Sequence, residues 1–473
     1  MSLIDEQLAR LAREHEERGE KREAERRVAS APAAEIAGII EIAPEREREL
    51  ASRIGTLAEA QSAFAAFDFE NGTTASLIEL LLLAGVRLRA SDIHIEPQEV
   101  AVSLRMRIDG IMQDAGTIPI PYHKLFSSRL KLLARMKLNA DKPQDGRFSV
   151  RLPESQIEVR VSSVPSQYGE TVVMRILDPR ALETDIGSLG LRQDDFAIVM
   201  RELSVPNGMI LNTGPTGSGK TTTLYSFLKK VARPEKKAIT IEDPIEYAIS
   251  GIEQTQVSED KGYSFATGLK AIVRQDPDII LVGEIRDAET AEIGMQAALT
   301  GHQVFSTVHA NDAAGAIPRL LDMGVQKETI GPAINLIMGQ RLVRRLCEKC
   351  KKPSQGLRPA EVDAVMHEKI KKYLEILPAR VSREGLAAEG MCESVGCLAC
   401  DNTGYRGRIA LFELFPINAD AEKIIAANTG YADLYAFAIA RGMVTMQQDG
   451  MLKVLHGITT VAEIEAATGP IEM

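Results

Sequence analysis

The residues best suited to do chemistry lie at positions 214–222, in the run Gly-Pro-Thr-Gly-Ser-Gly-Lys-Thr-Thr. An apolar segment, Met209–Leu211, precedes this run, and a segment with helical character, Thr222–Val231, follows it. Strand, glycine-rich loop and helix in this order are typical of a phosphate-binding loop, in which backbone N–H groups and the helix N-terminus hold phosphate oxygens. Lys220 would contact the β- and γ-phosphates, and the Thr221 hydroxyl would hold Mg²⁺. The predicted ligands of a nucleoside triphosphate are Gly214, Pro215, Thr216, Gly217, Ser218, Gly219, Lys220, Thr221 and Thr222.

Acidic residues follow two further apolar segments that are predicted to be strands. Glu242 follows Ala238–Ile241, and Glu284 follows Asp278–Val282 after one glycine. Phosphoryl transfer to water needs one carboxylate near Mg²⁺ and another that orients the attacking water. The carboxyl ends of parallel strands lie at the same edge as the phosphate loop. We therefore expect Glu284 in the metal site, and the pattern leaves open whether Glu242, Glu246 or Glu284 is the general base.

Two histidines flank the next apolar segment. His302 precedes it and His309 follows it, and Ser306, Thr307 and Asn311 lie nearby. A single histidine at a strand end is ordinarily structural, but a polar cluster there is what γ-phosphate sensors would require. We therefore predict that both histidines belong to the nucleotide site.

Two cysteine pairs, Cys347-x-x-Cys350 and Cys397-x-x-Cys400, have the spacing of a tetrahedral zinc site. The residues between the pairs would form a lobe tied at its base. Cys392 is left over, as a spare thiol or a competing ligand. Unrelated buried cysteines are the alternative interpretation.

The composition excludes several classes of protein. The 473 residues are 45% hydrophobic and 26% charged, which is ordinary for a water-soluble chain of about three domains. The sequence holds no apolar run near the ~20 residues that span a bilayer, and its first thirty residues are rich in Glu and Arg, unlike a secretory signal. We expect a cytoplasmic protein that meets membranes only through partners. The net charge of −10 and 4% aromatic content argue against nucleic-acid binding.

The order of predicted elements divides the chain. Strands alternate with helices from Leu191 to about Arg345, which indicates an α/β fold with a parallel sheet, and a helix is expected over Thr329–Leu346. A smaller α+β segment precedes this region and begins near Thr73. The predicted segments are 1–72, a charged arm that is partly helical or disordered; 73–185, the small α+β domain; 186–346, the nucleotide-binding domain; 347–412, the four-cysteine lobe; and 413–473, a helical region.

Two surface features are open to more than one interpretation. In the arm, Ile4, Leu8 and Leu11 form a narrow apolar stripe that either docks a partner or belongs to a solvated helix. Arginines recur on the predicted strands of the small domain, and their alternation favours one presented face over scatter, although surface arginines are ordinarily solubilising. These arginines are Arg105, Arg107, Arg147, Arg160 and Arg175.

With these residues in view, the chain resembles the ATPases of type II secretion and type IV pilus assembly from about Ser76 to its C-terminus. The shared motifs are Ala-Ser-Asp-Ile-His-Ile-Glu-Pro (90–97), Gln-Asp-Gly-Arg (144–147), Gly-Pro-Thr-Gly-Ser-Gly-Lys-Thr-Thr-Thr-Leu-Tyr (214–225), Ile-Glu-Asp-Pro-Ile-Glu-Tyr (241–247), Arg-Gln-Asp-Pro-Asp-Ile-Ile-Leu-Val-Gly-Glu-Ile-Arg-Asp (274–287), Thr-Gly-His-Gln-Val-Phe-Ser-Thr-Val-His (300–309), the two cysteine pairs, Thr-Gly-Tyr-Arg-Gly-Arg (403–408) and Gly-Ile-Thr-Thr (457–460).

The resemblance implies a RecA-like ATPase domain after a small PAS-like α+β domain, in a homohexamer that uses ATP, Mg²⁺ and Zn²⁺. It assigns Glu284 to the Walker B position, Glu242 to the neighbourhood of the hydrolytic water, and His302 and His309 to a histidine box. It also implies that Arg147 and Arg160 reach a nucleotide from the small domain as arginine fingers, and that Arg274 reaches one from the ATPase domain. The implied partners are an inner-membrane platform protein and a cytoplasmic domain of an assembly protein, which the N-terminal arm would dock.

Alternatives remain within and outside this family. A pilus retraction motor and a DNA-translocating conjugation ATPase share the RecA-like domain, although the cysteine lobe speaks against the first and the acidity against the second. Secretion and pilus assembly are not distinguished. Lys270 stands where the family often has an arginine, and the region before Ser76 is shorter than the family's N-terminal domain, so cyclic-dinucleotide binding is not expected.

Overall fold

The computed structural model describes residues 38–138, 142–180, 184–354, 373–383, 386, 390–427 and 430–471. They belong to two compact units, Met1–Pro179 and Arg180–Met473. The described helices of the first unit are α1 (Pro44–Arg53), α2 (Leu57–Ala65), α3 (Thr74–Arg87) and α4 (Ile120–Leu133). Its strands are β1 (Ile39–Glu41), β2 (Ala90–Pro97), β3 (Val102–Ile108), β4 (Ile111–Ile118), β5 (Gln144–Arg151), β6 (Gln156–Ser166) and β7 (Gly169–Leu177).

The first unit is a seven-stranded sheet with the strand order β1-β5-β6-β7-β2-β3-β4. Alternating side chains divide each strand between two faces. The apolar set, including Ile93, Leu104 and Val159, is buried together with residues of the helices, and the polar set lies on the other face. This is the α+β arrangement expected from the sequence.

The folded part of this unit begins before the predicted start at Thr73. Strand β1 pairs with β5, and Leu50, Ile54 and Phe64 of the α1–α2 region are buried in the core of the unit. A capping box between Thr56 and Glu59 starts α2. The sequence signal is weak because a few apolar residues stand in a charged stretch. The predicted stripe of Ile4, Leu8 and Leu11 lies outside the described residues.

Most of the described helices belong to the second unit. They are α5 (Gln193–Ser204), α6 (Lys220–Val231), α7 (Phe265–Val273), α8 (Ala288–Leu299), α9 (Ala316–Asp322), α10 (Lys327–Ala333), α11 (Ala419–Ala426), α12 (Tyr431–Ala440), α13 (Met446–Leu455) and α14 (Val461–Thr468). Its strands are β8 (Gly208–Thr213), β9 (Ala238–Glu242), β10 (Glu253–Gln256), β11 (Ile279–Val282), β12 (Gln303–Val308), β13 (Ile334–Leu346), β14 (Lys352–Pro353), β15 (Cys392–Glu393) and β16 (Tyr405–Pro416).

The main sheet of this unit has the order β10-β9-β11-β12-β8-β13-β16. Every neighbouring pair from β10 to β13 is parallel, and β16 closes the edge antiparallel to β13. Because β8 lies between β12 and β13, the loop after β8 has the end of β12 on one side and the continuing strand β13 on the other. The α/β fold with a parallel sheet is therefore confirmed.

The helix predicted over Thr329–Leu346 is wrong for most of its length. A short helix, α10, ends at Ala333, and the 13 residues of β13 follow at once. Strand β13 pairs with β8 on one side and β16 on the other, so tertiary pairing overrides the local helical pattern. Strand β16 also runs across the predicted segment boundary at residues 412 and 413.

Among the residues that the structure describes, no helix combines the length and apolar character needed to cross a bilayer.

Candidate nucleotide site and cysteine cluster

The loop between β8 and α6 has the backbone of a phosphate cradle. Gly214, Gly217 and Gly219 have φ angles of 153°, 80° and 89°, which residues with a side chain rarely adopt. A Cβ atom on Gly214 would also collide with the carbonyl oxygen of Gln340 on the neighbouring strand. Helix α6 begins directly after Gly219, at Lys220. The loop therefore requires glycine at these positions and directs the N-terminus of α6 toward its opening.

Some polar groups of the cradle are hydrogen-bonded to partners that a phosphate would replace, and one has no hydrogen-bond partner in the part of the chain that the structure describes. The Lys220 ammonium donates to the carbonyl oxygens of Gly214 (2.8 Å) and Pro215 (3.1 Å) of its own loop. Burial lowers the pKa of Lys220, against the opposing charge of Glu284. The Ser218 hydroxyl is buried without a hydrogen-bond partner among the described residues. This donor set fits the phosphate chain of a nucleotide.

Two of the predicted catalytic residues meet beside the loop. Glu284 follows β11 and His309 follows β12, and the Nε2 atom of His309 lies 3.3 Å from a Glu284 carboxylate oxygen. Arg286 hydrogen-bonds the other Glu284 oxygen and also pairs with Asp243 at 3.0 Å. The hydrogen bond to Glu284 raises the pKa of Arg286. Parallel pairing thus gathers acidic, basic and imidazole groups at one sheet edge.

The Glu242 carboxylate is buried at the end of β9 and held by three side chains. One oxygen accepts from Thr240 at 2.7 Å and from Gln254 at 3.1 Å, and the other accepts from the Tyr225 hydroxyl. Burial, followed by the charge of Glu242, raises the pKa of Tyr225. Tyr225 is the last residue of the shared motif at 214–225, but its contact with Glu242 was not predicted from the sequence. The arrangement fixes Glu242 relative to the helix that begins at the loop.

Neither His302 nor Arg274 is brought to the phosphate loop of its own chain. His302 precedes β12, so it lies at the opposite end of that strand from His309, and its backbone carbonyl accepts from Gly208 at the start of β8. Its Nδ1 atom lies 3.0 Å from the Ala297 carbonyl oxygen. Arg274 caps the C-terminus of α7 before β11 begins, which places it at the same far edge. The nucleotide role predicted for His302 and Arg274 therefore has no geometric support within one chain.

The Ser306 and Thr307 hydroxyls are also engaged elsewhere than expected. They donate to the carbonyl oxygens of Val282 (2.9 Å) and Gly283 (2.8 Å), which join the end of β12 to the residues before Glu284. These two residues hold the sheet edge rather than face a ligand as sensors.

The arginines of the first unit do share one face. Arg147 is the register partner of Arg160, which is in turn the partner of Arg175. Asp92 continues this row between Arg175 and Arg107, and it accepts from Arg175 at 3.0 Å. Arg147 is 71% exposed and has the Glu158 carboxylate 3.8 Å away. The predicted face is confirmed as a basic stripe opposite the apolar core.

The four cysteines of the two pairs converge, with ligand atoms within 4.8 Å of one another. The Sγ–Sγ distances are 3.9 Å between Cys347 and Cys397, 3.7 Å between Cys350 and Cys400, and 3.8 Å between Cys397 and Cys400. A tetrahedral ion with Zn–S bonds of about 2.3 Å places its sulfurs about 3.8 Å apart. Disulfide bonds need sulfurs about 2 Å apart. The cluster therefore fits a zinc ion.

Backbone groups favour a thiolate at one corner of the cluster. Burial raises the pKa of Cys400, but the N–H groups of Cys397 (3.2 Å) and Gly404 (3.3 Å) donate to its Sγ atom and lower the pKa to about 7. Cys392 lies outside the cluster, on β15, beside Gly457. It is therefore not the competing ligand that the sequence left open.

We expect one zinc ion per chain, which metal analysis of the native protein measures. A structural zinc site contributes on the order of 10 kcal/mol to folding in small zinc peptides, so Cys397→Ser should lose the metal and unfold the lobe. Nucleotide binding should persist, because the phosphate loop belongs to the parallel sheet. Cys392→Ser is the matched control and should keep its zinc. If the native protein contained no zinc and Cys397→Ser were as stable as the wild type, the predicted zinc site would be wrong.

Comparisons with known proteins agree with this geometry. A family model described as "Type II/IV secretion system protein" matches residues 69–466. The type IV pilus assembly ATPase PilB of Myxococcus xanthus is 40% identical over 403 residues, which are 85% of this chain and 69% of that protein. The type II secretion system protein E of Pectobacterium carotovorum is 42% identical over 397 residues, 83% of this chain and 75% of that protein.

Two solved structures share the fold. The Legionella pneumophila ATPase DotB has a TM-score of 0.61 at 19% identity, covering 84% of this chain and 96% of that chain. The pilus retraction motor PilT with bound ADP has a TM-score of 0.54 at 25% identity, covering 83% of this chain and 96% of that chain. With its phosphate loop, its gathered acidic edge and these relatives, the chain belongs to the type II/IV secretion system ATPase family and is an ATPase.

Proposed function

We propose that this ATPase is a hexameric motor that powers assembly of pseudopilin or pilin fibres at the cytoplasmic side of an inner membrane. The observation that carries the proposal is the shared sheet edge of the phosphate loop and the Glu284–His309 pair. The names of the two relatives, a pilus assembly ATPase and a type II secretion protein, support the choice of process.

The residues of this edge suggest how the reaction is arranged. Lys220 would exchange the carbonyl oxygens of Gly214 and Pro215 for phosphate oxygens, which compensate its charge better. Thr221 and Glu284 would hold Mg²⁺, whose charge stabilises the transferred phosphoryl group. His309 would keep the Glu284 carboxylate in place, and Glu242, fixed by Tyr225, would orient water.

The basic stripe of the first unit offers cations in addition to the single lysine of the phosphate loop. We propose that Arg147 and Arg160 act as arginine fingers on a nucleotide site of the ring, because charge that develops on the γ-phosphoryl oxygens needs more cations than one lysine. Hydrolysis would then release this unit, and that change between nucleotide states would be the stroke of the motor. In this scheme the parallel-sheet segment 186–346 does the chemistry, and the segment 73–185 brings the fingers.

The proposed partners are an inner-membrane platform protein, which receives the stroke, and a cytoplasmic domain of an assembly protein, which the N-terminal arm docks. The net charge of −10 makes the polyanionic backbone of DNA a poor alternative track.

The choice of partner is tested by ATP hydrolysis of the full chain with two additives. The cytoplasmic part of the platform protein from the same gene cluster should raise the rate severalfold, and duplex or single-stranded DNA should leave it unchanged. Light scattering in the same samples should give the mass of six chains. Stimulation by DNA alone would favour a DNA translocator instead.

A further inference from the structure

Arg341 lies beside the phosphate loop, on a strand that the sequence motifs of the site do not include. Strand β13 runs parallel to β8, and Gly339 is the register partner of Thr213, the residue before the loop. Arg341 is two residues further, level with the loop itself. Its Nη1 atom lies 3.3 Å from the position that a Cβ atom on Gly214 would occupy. The guanidinium group therefore lines the first glycine of the cradle.

The hydrogen bonds of Arg341 go to neutral acceptors. Its Nη2 atom donates to the Asn311 carbonyl at 2.8 Å, and its Nη1 atom donates to the Gln340 carbonyl at 3.3 Å. Within the part of the chain that the structure describes, Arg341 has no carboxylate oxygen within the 4.0 Å of an ion pair. Burial lowers the pKa of Arg341, and the negative charges of Asp312 and Glu413 oppose this lowering only in part.

Other half-buried arginines of the same unit are compensated differently. Arg286 pairs with Glu284 and Asp243, and Arg344 pairs with Glu463. A guanidinium group stays protonated at physiological pH, and its desolvation is unfavourable without an anion. Arg341 thus carries a charge without a direct ion pair among the described residues, next to the first glycine of the phosphate loop.

Lys220 shares this electrostatic environment. Burial is the main cause of the lowered pKa of Lys220; the charge of Glu284 opposes it, and the charge of Arg341 adds to it, so the two cations repel each other. An anionic ligand between them would remove the repulsion and satisfy both groups. A phosphate chain has the charge for this, and guanidinium matches phosphate oxygens with two parallel hydrogen bonds.

We propose that Arg341 is a second cationic ligand for the phosphate chain of the nucleotide, contributed by the same chain as Lys220. The proposal rests on the nucleotide occupying the loop at Gly214–Thr221. Because Arg341 also holds the Asn311 carbonyl, two residues after His309, it joins the bound phosphates to the segment that carries the histidine.

The test compares Arg341→Gln and Arg341→Lys with Arg345→Gln, which removes an exposed arginine from the same strand. ATP affinity is measured by equilibrium dialysis with labelled nucleotide. Loss of a charge-assisted hydrogen bond should weaken ATP binding about tenfold to a hundredfold in Arg341→Gln. Arg341→Lys should lie between Arg341→Gln and the wild type, because it keeps the charge but not the fork. Arg345→Gln should bind as the wild type does.

A second readout separates ligand binding from folding. The melting temperature of Arg341→Gln without nucleotide should stay close to that of the wild type. At an ATP concentration that saturates the wild type, the rise in melting temperature should be smaller for the variant than for the wild type. Wild-type affinity in Arg341→Gln would overturn the proposal. If Lys220→Ala bound ATP as tightly as the wild type does, the assignment of the phosphate loop would be overturned, whatever Arg341 does.

Discussion

Glu284→Gln is expected to leave ATP bound while turnover falls by about 10²–10⁴-fold, the range of a lost acid–base or metal-site carboxylate. Glutamine keeps the size of the side chain and its place between Arg286 and His309, but removes the negative charge that both groups face. Binding should survive because the loop, Lys220 and α6 are untouched. Steady-state phosphate release and ATP binding, measured on the same preparation, give the two quantities.

Glu289→Gln is the matched control for this variant. Glu289 lies five residues further along, is 59% exposed and pairs with Lys270. Its replacement removes one carboxylate from the same region and should leave turnover within about twofold, since exposed ion pairs contribute little. If Glu284→Gln hydrolyses ATP like the wild type, Glu284 is not in the metal site.

Arg147→Ala and Arg160→Ala should each cut turnover at least tenfold, and the double variant further, while ATP still binds and the oligomer persists. Arginine fingers are worth ~10³–10⁵ in rate where they have been measured. Both side chains lie on the polar face of the first unit, away from its apolar core, so their removal should not unfold it. The Arg147–Glu158 pair, at 3.8 Å, contributes at most ~1 kcal/mol.

Arg151→Ala tests whether any arginine of this strand would have the same effect. Arg151 lies on the same face of β5, and it pairs with Glu41. Its variant should turn over ATP normally. Near-normal turnover in the Arg147→Ala, Arg160→Ala double variant would show that these arginines are surface groups, and the proposed link between the two units would lose its chemistry.

The phosphate loop and the acidic edge were predictable because each rests on local information. The loop Gly214–Thr221 is recognisable because a strand precedes it and a helix follows it in the sequence. The parallel order of the strands then places Glu284 and His309 at the same edge of the sheet. The cysteine cluster was predictable for a similar reason, since two short pairs need only converge. The basic stripe followed from alternation along β5, β6 and β7.

Errors arose where long-range pairing decides the structure. The segment 334–346 has a pattern compatible with a helix, but β8 and β16 pair with it on both sides. His302 and His309 stand close in sequence, yet the six residues of β12 separate them at opposite edges of the sheet. Proximity along a strand therefore does not imply a shared site.

Other contributors join the site through contacts between distant parts of the chain. Tyr225 reaches Glu242 from a helix, and Arg341 reaches Gly214 from a strand more than a hundred residues later. No short motif indicates the contact of Arg341. A sequence signal existed for Tyr225, since it lies one helical turn after Thr221 on the helix that begins at the loop.

The most direct test of the account is phosphate release by the purified full chain with ATP and Mg²⁺. We predict hydrolysis that needs both the ion and Lys220, so that chelation of Mg²⁺ and Lys220→Ala each reduce it to background. Binding of ATP by the wild type with no phosphate released above the Lys220→Ala background would contradict the account, and would make the chain a nucleotide-regulated scaffold rather than a motor.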